Sequence, residues 1–296
     1  MSRCFSRCVL QVAVLTTGLW IQEDVLAHPA IEQQIQEINR ALAAAPADAG
    51  LTLRRAELFF QHAQYKDALD DLAAVERISP GTPDLAYRRA KIYREMKRFD
   101  EARALLEHYV ADQPANASAQ RLLSRIYRDL GQFDQAVESG RKAIQSSIRP
   151  SPDDFLELAA LQRSGAGNAA ALQTIEQGIS KLGSIVTLQL AALSIEEQTG
   201  LFDAALQRID ALKSAGVQEE SRLVWRARVL AKSGRDQEAR ENCLQAKKAL
   251  LAQAPQRRAT AANQELLAEI DSLLGDAKQS AMRAGTQSDN QAVQRP

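Results

Sequence analysis

The chain has 296 residues, and its 37 lysine and arginine residues balance its 37 aspartate and glutamate residues. This zero net charge gives no reason to expect a nucleic acid or an anionic membrane surface as the partner. Of the three cysteines, Cys4 and Cys8 lie in the N-terminal segment considered next. Only Cys243 remains beyond it, so no intrachain disulfide is expected there.

The N-terminal segment has the parts of a secretory signal peptide. Arg3 and Arg7 precede an apolar run at residues 9–21, and a short polar stretch then leads to Ala27. The run is shorter than the ~20 apolar residues that a membrane span needs. We therefore predict that residues 1–27 are a signal peptide cleaved after Ala27, with an uncleaved anchor as the alternative. Cleavage would leave no integral membrane span, and the periplasm is the expected location, with secretion as the alternative.

From residue 49 onward the sequence repeats itself with a period of 34 or 35 residues. The repeat is marked by two series of mostly small residues that stand twelve positions apart. The later series is Ala68, Ala102, Ala136, Ala171, Ala205 and Ala239, and the earlier one is Ala56, Ala90, Ser124, Ala159, Leu193 and Ala227. A fixed period of this length is the signature of a solenoid, in which one supersecondary unit stacks on itself.

Each period contains two helical patterns. In residues 83–116 the first stripe is Ala86, Ala90 and Tyr93, and the second is Phe99, Ala102, Leu106 and Tyr109. Small residues allow two helices to approach closely, and aromatic residues fill the wider space on either side. Gly131, Gly200 and Gly234 each lie five residues before a second-helix alanine. They predict a left-handed turn between the two helices, a backbone conformation that favours glycine.

These residues resemble the tetratricopeptide repeat, a helix–turn–helix unit. The aromatic pairs Phe59/Tyr65, Tyr93/Phe99 and Tyr127/Phe133 fit its pattern, and Pro46, Pro80 and Pro114 recur at its period. The later repeats depart from it, with Gln162/Asn168, Glu196/Phe202 and Leu230/Asp236 at the aromatic positions. The resemblance implies an all-α fold, a right-handed superhelical solenoid of antiparallel helix pairs. Six repeats are predicted, at residues 49–82, 83–116, 117–150, 151–185, 186–219 and 220–256.

The two ends of the solenoid are predicted to be capped. Residues 28–48 resemble a lone second helix and form the predicted N-terminal half-repeat. Residues 257–274 carry a further helical pattern that would cover the last apolar face, as solenoids require for solubility. The tail at residues 275–296 has almost no aliphatic content and is predicted to be disordered.

The residues that carry enzymatic chemistry do not assemble into a recognisable site in the sequence. His28, His62 and His108 are far apart, and none has a second ligand at metal-binding spacing. There is no phosphate-binding loop and no nucleophile elbow. Cys243 aligns with aliphatic positions of other repeats and is predicted to be a buried apolar residue. We therefore expect a protein without catalysis, cofactor or metal.

The candidate binding site follows from the resemblance, because the first helix of each such repeat lines a groove. The groove-facing positions that this carries over are Tyr87, Lys91, Arg94, Arg121, Arg125, Arg128 and Arg163. Arg121, Arg125 and Arg128 share a helix face by their spacing alone. Guanidinium groups suit a carboxylate or phosphate, so we predict a groove for an acidic peptide or a chain-terminal carboxylate. The alternative is an ordinary solvated helix face, with its charge balanced by nearby acidic residues.

The predicted function is that of an exported bacterial scaffold or adaptor that binds a protein or peptide. One alternative is a regulatory or assembly subunit of an envelope enzyme, a secretion complex or a polysaccharide-export complex. A third is the binding of an anionic glycan by the arginines. The resemblance does not extend to the lysine–asparagine clamp for chaperone tails, because Leu53 and Glu57 occupy the matching positions.

Overall fold

The computed structural model describes residues 21–165 and 167–275, with side chains from residue 30 onward. All regular structure in these ranges is helical. The helices are α1 (Ile21–Ala44), α2 (Ala49–Gln61), α3 (Tyr65–Ile78), α4 (Leu85–Glu95), α5 (Phe99–Asp112), α6 (Ala117–Asp129), α7 (Phe133–Ser146), α8 (Pro152–Ser164), α9 (Asn168–Leu182), α10 (Val186–Thr199), α11 (Phe202–Ala211), α12 (Glu219–Lys232), α13 (Asp236–Leu251), α14 (Pro255–Arg258) and α15 (261–275). The predicted all-α class is confirmed.

The chain forms two compact units, which divide between Gly131 and Gln132. In the first unit α2 pairs with α3 and α4 with α5, and the contacts of α3 with α4 and of α5 with α6 stack them in chain order. In the second unit the pairs are α8–α9, α10–α11 and α12–α13, and they stack in the same way. Each unit therefore has the solenoid organisation that the period predicted.

The two series of small residues are buried, and in the pairs α2–α3, α4–α5, α8–α9, α10–α11 and α12–α13 they lie on helices that contact each other. All eleven are at most 5% exposed, and Leu193 at the twelfth position is 1% exposed. The eleven are Ala56, Ala68, Ala90, Ala102, Ser124, Ala136, Ala159, Ala171, Ala205, Ala227 and Ala239. A larger side chain at these positions would separate two helices that pack at close range.

The turn between paired helices is left-handed, as the glycines predicted. Gly131, Gly200 and Gly234 have φ values of 74°, 74° and 78°. Ala63 and Lys97 occupy the same position in the first two repeats and have φ values of 56° and 59°. A side chain in this conformation costs free energy, since its Cβ crowds the backbone. The turn geometry is therefore a property of the repeat, which is retained even where glycine is absent.

One pair of positions exchanges large and small residues between repeats. In the second repeat Ala86 and Tyr109 belong to one apolar cluster. In the fourth repeat the corresponding residues are Phe155, which is 2% exposed, and Gly178, which lies within helix α9. A Cβ atom on Gly178 would lie 2.8 Å from Cγ of Phe155. The second repeat has its aromatic ring on the second helix, whereas the fourth repeat has it on the first helix. Gly178, which has no side chain, provides the space that the ring of Phe155 needs.

Both ends of the described chain pack onto neighbouring repeats. Ile35 and Ile38 of α1 are buried in a cluster with Leu58 of α2. At the other end, Ile270 of α15 is fully buried in a cluster that includes Cys243. The predicted signal peptide lies outside the described residues over 1–20, and the predicted tail does so from residue 276. Within the described ranges, no helix has the length and apolar character needed to cross a bilayer.

Tyr109 joins two helix pairs through its hydroxyl group, which donates a hydrogen bond to Asp84 and accepts one of 3.0 Å from Nδ2 of Asn116. Burial, together with the hydrogen bond to Asp84, raises the pKa of Tyr109 to about 12. Replacement of Tyr109 by Phe keeps the ring but leaves Asp84 and Asn116 without this partner. We expect the free energy of unfolding at pH 7 to fall by about 1 kcal/mol.

The pH dependence of stability provides a second measurement on the same variant. An unfolded tyrosine loses its proton near pH 10.0, whereas folded Tyr109 keeps it to about pH 12. The folded state therefore binds more protons in this window, and its stability is lost as pH rises through it. Urea denaturation between pH 9 and pH 12 should show a smaller loss for Tyr109→Phe than for the unmodified chain. Equal losses would show that the hydroxyl group is not held as described.

Candidate ligand-binding grooves

The first groove, called groove A, lies between α4 and α6, the first helices of two consecutive repeats. It is open and has a volume of about 230 Å³. The residues that line it are Tyr87, Lys91, Arg94, Glu95, Ser118, Arg121, Leu122 and Arg125. Groove A therefore brings together five of the seven side chains that were expected to face a groove. They converge because the period places equivalent positions of successive first helices next to each other.

The other two predicted residues lie elsewhere. Arg128 is one turn beyond the lining of groove A, and its Nη2 is 3.2 Å from Oδ1 of Asp129. Arg163 belongs to the second unit, where its Nη2 donates a hydrogen bond of 2.7 Å to Oε1 of Gln198. The seven predicted residues therefore belong to different local surroundings.

Four cationic side chains and one carboxylate line groove A, so its local charge is positive although the chain is neutral. Arg94 is partly neutralised, because its Nε and Nη2 atoms both lie 2.8 Å from Oδ2 of Asp129. This ion pair also connects α4 to α6. Arg121 and Arg125 are half-buried and have polar contacts of their own. The excess of positive charge favours an anionic group in the groove.

Two side chains that line groove A, Lys91 and Tyr87, pack against aromatic rings. Nζ of Lys91 lies 4.9 Å from the ring centroid of Phe60, a cation–π distance. The ring of Tyr87 lies 6.4 Å from that of Tyr109, which is itself held by its hydrogen bonds. Both contacts restrict the side chains before a ligand arrives, which lowers the entropy cost of binding.

A second groove, called groove B, occupies the equivalent place in the second unit, between α10 and α12. Its volume is about 470 Å³, roughly twice that of groove A. The residues that line it are Leu190, Leu193, Ser194, Glu197, Gln198, Trp225, Arg228 and Lys232. The sequence offered one signal for it: by repeat alignment Arg228 corresponds to Lys91 and Arg125.

The centre of groove B is a buried carboxylate held by two cations. Glu197 is 8% exposed, and its oxygens lie 3.1–3.2 Å from Nε and Nη2 of Arg228 and 2.7 Å from Nζ of Lys232. Nη1 of Arg228 donates a second bond of 2.9 Å to Oε1 of Glu269 on α15. Burial is the largest single influence on Arg228 and lowers its pKa, but the hydrogen bonds and the negative charges of Glu197 and Glu269 together outweigh burial and raise the pKa of the guanidinium group.

Two features of the described residues bear on catalysis. Among the residues that the structure describes, no three His, Cys, Asp or Glu side chains come together in a way that could hold a metal ion. Cys243 is 1% exposed, which confirms its predicted burial, and that burial raises the pKa of its thiol to about 11. At neutral pH this cysteine is a thiol, the unreactive form.

The comparisons with known proteins concern the repeat fold. The family model of the tetratricopeptide repeat matches residues 59–126 and 95–163. This part of the chain consists of tetratricopeptide repeats. No curated protein matches it.

Among solved structures, the chain is similar to Naa15/Naa10 bound to HypK-THB, with a TM-score of 0.55 at 16% identity over 79% of this chain and 34% of that one. It also matches a tetratricopeptide repeat protein from Parabacteroides merdae ATCC 43184, with a TM-score of 0.48 at 14% identity over 85% of this chain and 96% of that one. MamA from Desulfovibrio magneticus RS-1 matches with a TM-score of 0.46 at 18% identity over 54% of this chain and 90% of that one. At these identities the likeness concerns the fold alone.

Proposed function

We propose that the protein is an exported, non-catalytic scaffold that binds a partner protein through an acidic segment lying in groove A. The observation that carries the proposal is the placement of Lys91, Arg94, Arg121 and Arg125 in one groove between two first helices. Arginine side chains bind carboxylates through paired hydrogen bonds, which gives direction as well as attraction. An extended acidic segment is the protein ligand that suits such a surface.

The proposal of export depends on the N-terminal sequence. Arg3 and Arg7, the apolar run after them and the small residue at position 27 are the features that support it. In an exported protein the partner would be a component of the cell envelope or a secreted protein. A regulatory or assembly subunit of an envelope complex is the same proposal with a permanent partner, and a stoichiometric complex on purification would distinguish it.

The test is a crosslinking pull-down from native envelope extract with the unmodified chain and with an Arg121→Glu, Arg125→Glu variant. Reversal of two charges in groove A should abolish capture of a groove ligand, because attraction becomes repulsion. A Lys66→Glu, Arg77→Glu variant is the matched control, since it changes the net charge equally at exposed positions of α3. Circular dichroism and thermal unfolding would first establish that both variants are folded.

Loss of the partner in the groove variant alone is the expected result. An Arg121→Gln, Arg125→Gln variant should then bind with intermediate strength, because it removes charge but keeps hydrogen-bonding groups. A partner that all variants retain would place the interface outside groove A. Capture of no partner by the unmodified chain would contradict the scaffold function itself.

A further inference from the structure

We propose that groove B is a second and chemically distinct peptide site, which binds a segment carrying a carboxylate beside an apolar side chain. The inference rests on the proposed function, because it assumes that the protein binds polypeptides. It adds a second location and states what the partner must present there. Groove B lies wholly within the second unit and shares no residue with groove A.

The apolar half of groove B is formed by Leu190, Leu193 and Trp225. Leu193 is 1% exposed, and the other two residues are half-buried against the same apolar cluster. The indole ring is therefore held in place by the core while part of its surface faces the groove. A rigid aromatic side chain in a recess is the usual anchor point for an apolar side chain of a protein partner.

The polar half offers donors rather than acceptors. The carboxylate of Glu197 already accepts hydrogen bonds from Arg228 and Lys232 and is almost fully buried. Arg228 and Lys232 have more N–H groups than these bonds use, and their side chains are 32% and 46% exposed. A ligand at this edge must supply acceptors and negative charge, which a carboxylate does.

Groove B suits a peptide better than a carbohydrate. Sugar hydroxyl groups donate as well as accept, and a sugar site commonly provides acceptors for them. In groove B the carboxylate of Glu197 is engaged by two cations, whereas Leu190 and Trp225 supply apolar surface. An amphipathic peptide segment matches both halves of the groove. An anionic oligosaccharide matches the cationic edge and can stack on Trp225, but it has no aliphatic side chain to place against Leu190.

The cationic edge is positioned before binding. The guanidinium group of Arg228 is fixed on one side by Glu197 and on the other by Glu269 of α15, at 2.9 Å. Arg163 extends this edge from α8 through its hydrogen bond to Gln198, a residue of the groove lining. Because these side chains are already ordered, a ligand pays little entropy to use them.

The test uses the fluorescence of Trp225, since the sequence contains only one other tryptophan, Trp20. The full chain carrying Trp20→Phe would be titrated with four probes. These are the acetylated and amidated hexapeptides SLDLDS, SLNLNS and SGDGDS, and tetragalacturonate as the carbohydrate. The second peptide lacks the charge and the third lacks the apolar side chains.

We expect SLDLDS to bind saturably and to change the emission of Trp225. SLNLNS and SGDGDS should each bind at least about tenfold more weakly. The first cannot form charged contacts with the cationic edge, and the second cannot fill the apolar half of the groove. Absence of saturable SLDLDS binding up to about 1 mM, the range of the weakest specific complexes, would overturn the proposal. Tighter binding of tetragalacturonate than of SLDLDS would overturn it in favour of a glycan site.

Two matched variants locate the ligand. Lys232→Met keeps the aliphatic stem, removes one cation and leaves Arg228 to hold Glu197, so SLDLDS should bind about as weakly as SLNLNS. Lys181→Met is the control, because Lys181 is also in the last turn of a helix but is not among the residues that line the groove. Equal SLDLDS affinity in the two variants would overturn the site.

The two proposals fail in different ways. If the groove A variant loses its partner in the pull-down but SLDLDS does not bind, the scaffold function stands and groove B is not a peptide site. If Arg121→Glu, Arg125→Glu abolishes SLDLDS binding and Lys232→Met does not, the peptide occupies groove A, and the inference about groove B is wrong.

Discussion

Replacement of Arg208 by alanine should lower the free energy of unfolding of the second unit by about 3–5 kcal/mol, the usual cost of removing one partner from a buried ion pair. Arg208 of α11 is 12% exposed and donates hydrogen bonds to Glu196 at 2.6 and 2.9 Å, to Gln189 at 2.6 Å and to Glu176. Glu196 is 3% exposed, and without Arg208 its carboxylate would remain buried with no opposite charge. Chemical denaturation of the variant would measure the loss.

Arg235→Ala is the control for this prediction. Arg235 also pairs with a glutamate, Glu238, at 2.6 Å, but both side chains are more than 40% exposed. Water and salt screen an exposed pair of this kind, so it contributes little and the control should unfold almost as the unmodified chain does. Equal losses in the two variants would mean that burial does not determine the strength of the Arg208 network.

Gly178→Ala should destabilise the fold by ~1–3 kcal/mol, the usual cost of overpacking a core. Elsewhere in a helix this change gains up to about 1 kcal/mol, because alanine favours helix more than glycine does. Here the new Cβ atom would lie 2.8 Å from Cγ of Phe155, a distance that carbon atoms do not tolerate. The clash outweighs the gain in propensity, and thermal unfolding should show a lower midpoint.

A double variant makes this prediction specific. Phe155→Ala removes Cγ and the ring next to Gly178, so Phe155→Ala, Gly178→Ala should be more stable than the sum of the two single effects predicts. Residues in contact show such coupling, whereas distant residues add independently. Strict additivity would show that the ring and the glycine do not share space.

The sequence predicted the helices and the turns of the repeat because both depend on local spacing. The period places small residues at helix contacts and a left-handed residue at each turn, and neither depends on what lies elsewhere in the chain. The period also places Tyr87 and Lys91 at positions equivalent to Arg121 and Arg125, and these four residues line groove A. The features that recur with the period could therefore be predicted from the sequence.

The buried polar pairs of the later repeats could not be predicted from the period, because they occur where the repeat pattern is broken. Gln162 and Glu196 stand where the tetratricopeptide pattern has an aromatic residue, and in the sequence they are departures from that pattern. In the structure both are buried and bind polar residues twelve positions later, Gln162 with Thr174 and Glu196 with Arg208. In these two repeats a polar pair takes the place of aromatic packing. Such a pair involves two positions on different helices, so it cannot be recognised from either position alone.

Groove B was missed for a related reason. Glu197 occupies the position that Arg94 has in the second repeat, so the repeat alignment gives charges of opposite sign. Trp225 lies in α12, the first helix of the last predicted repeat. Its role in the groove depends on which side chains of α10 lie opposite, and the spacing within one helix does not contain that information.

The contact between Arg228 and Glu269 gives the C-terminal helix a part in recognition that its position outside the repeats would not suggest. Fraying of α15 would release one of the two carboxylates that orient the guanidinium group, and a ligand that holds the guanidinium group would oppose fraying. Because coupling between two sites is reciprocal, a ligand in groove B stabilises the folded form of α15, and the folded form of α15 increases the affinity of groove B for the ligand. Slower amide exchange in residues 261–275 would therefore report a ligand that never touches them.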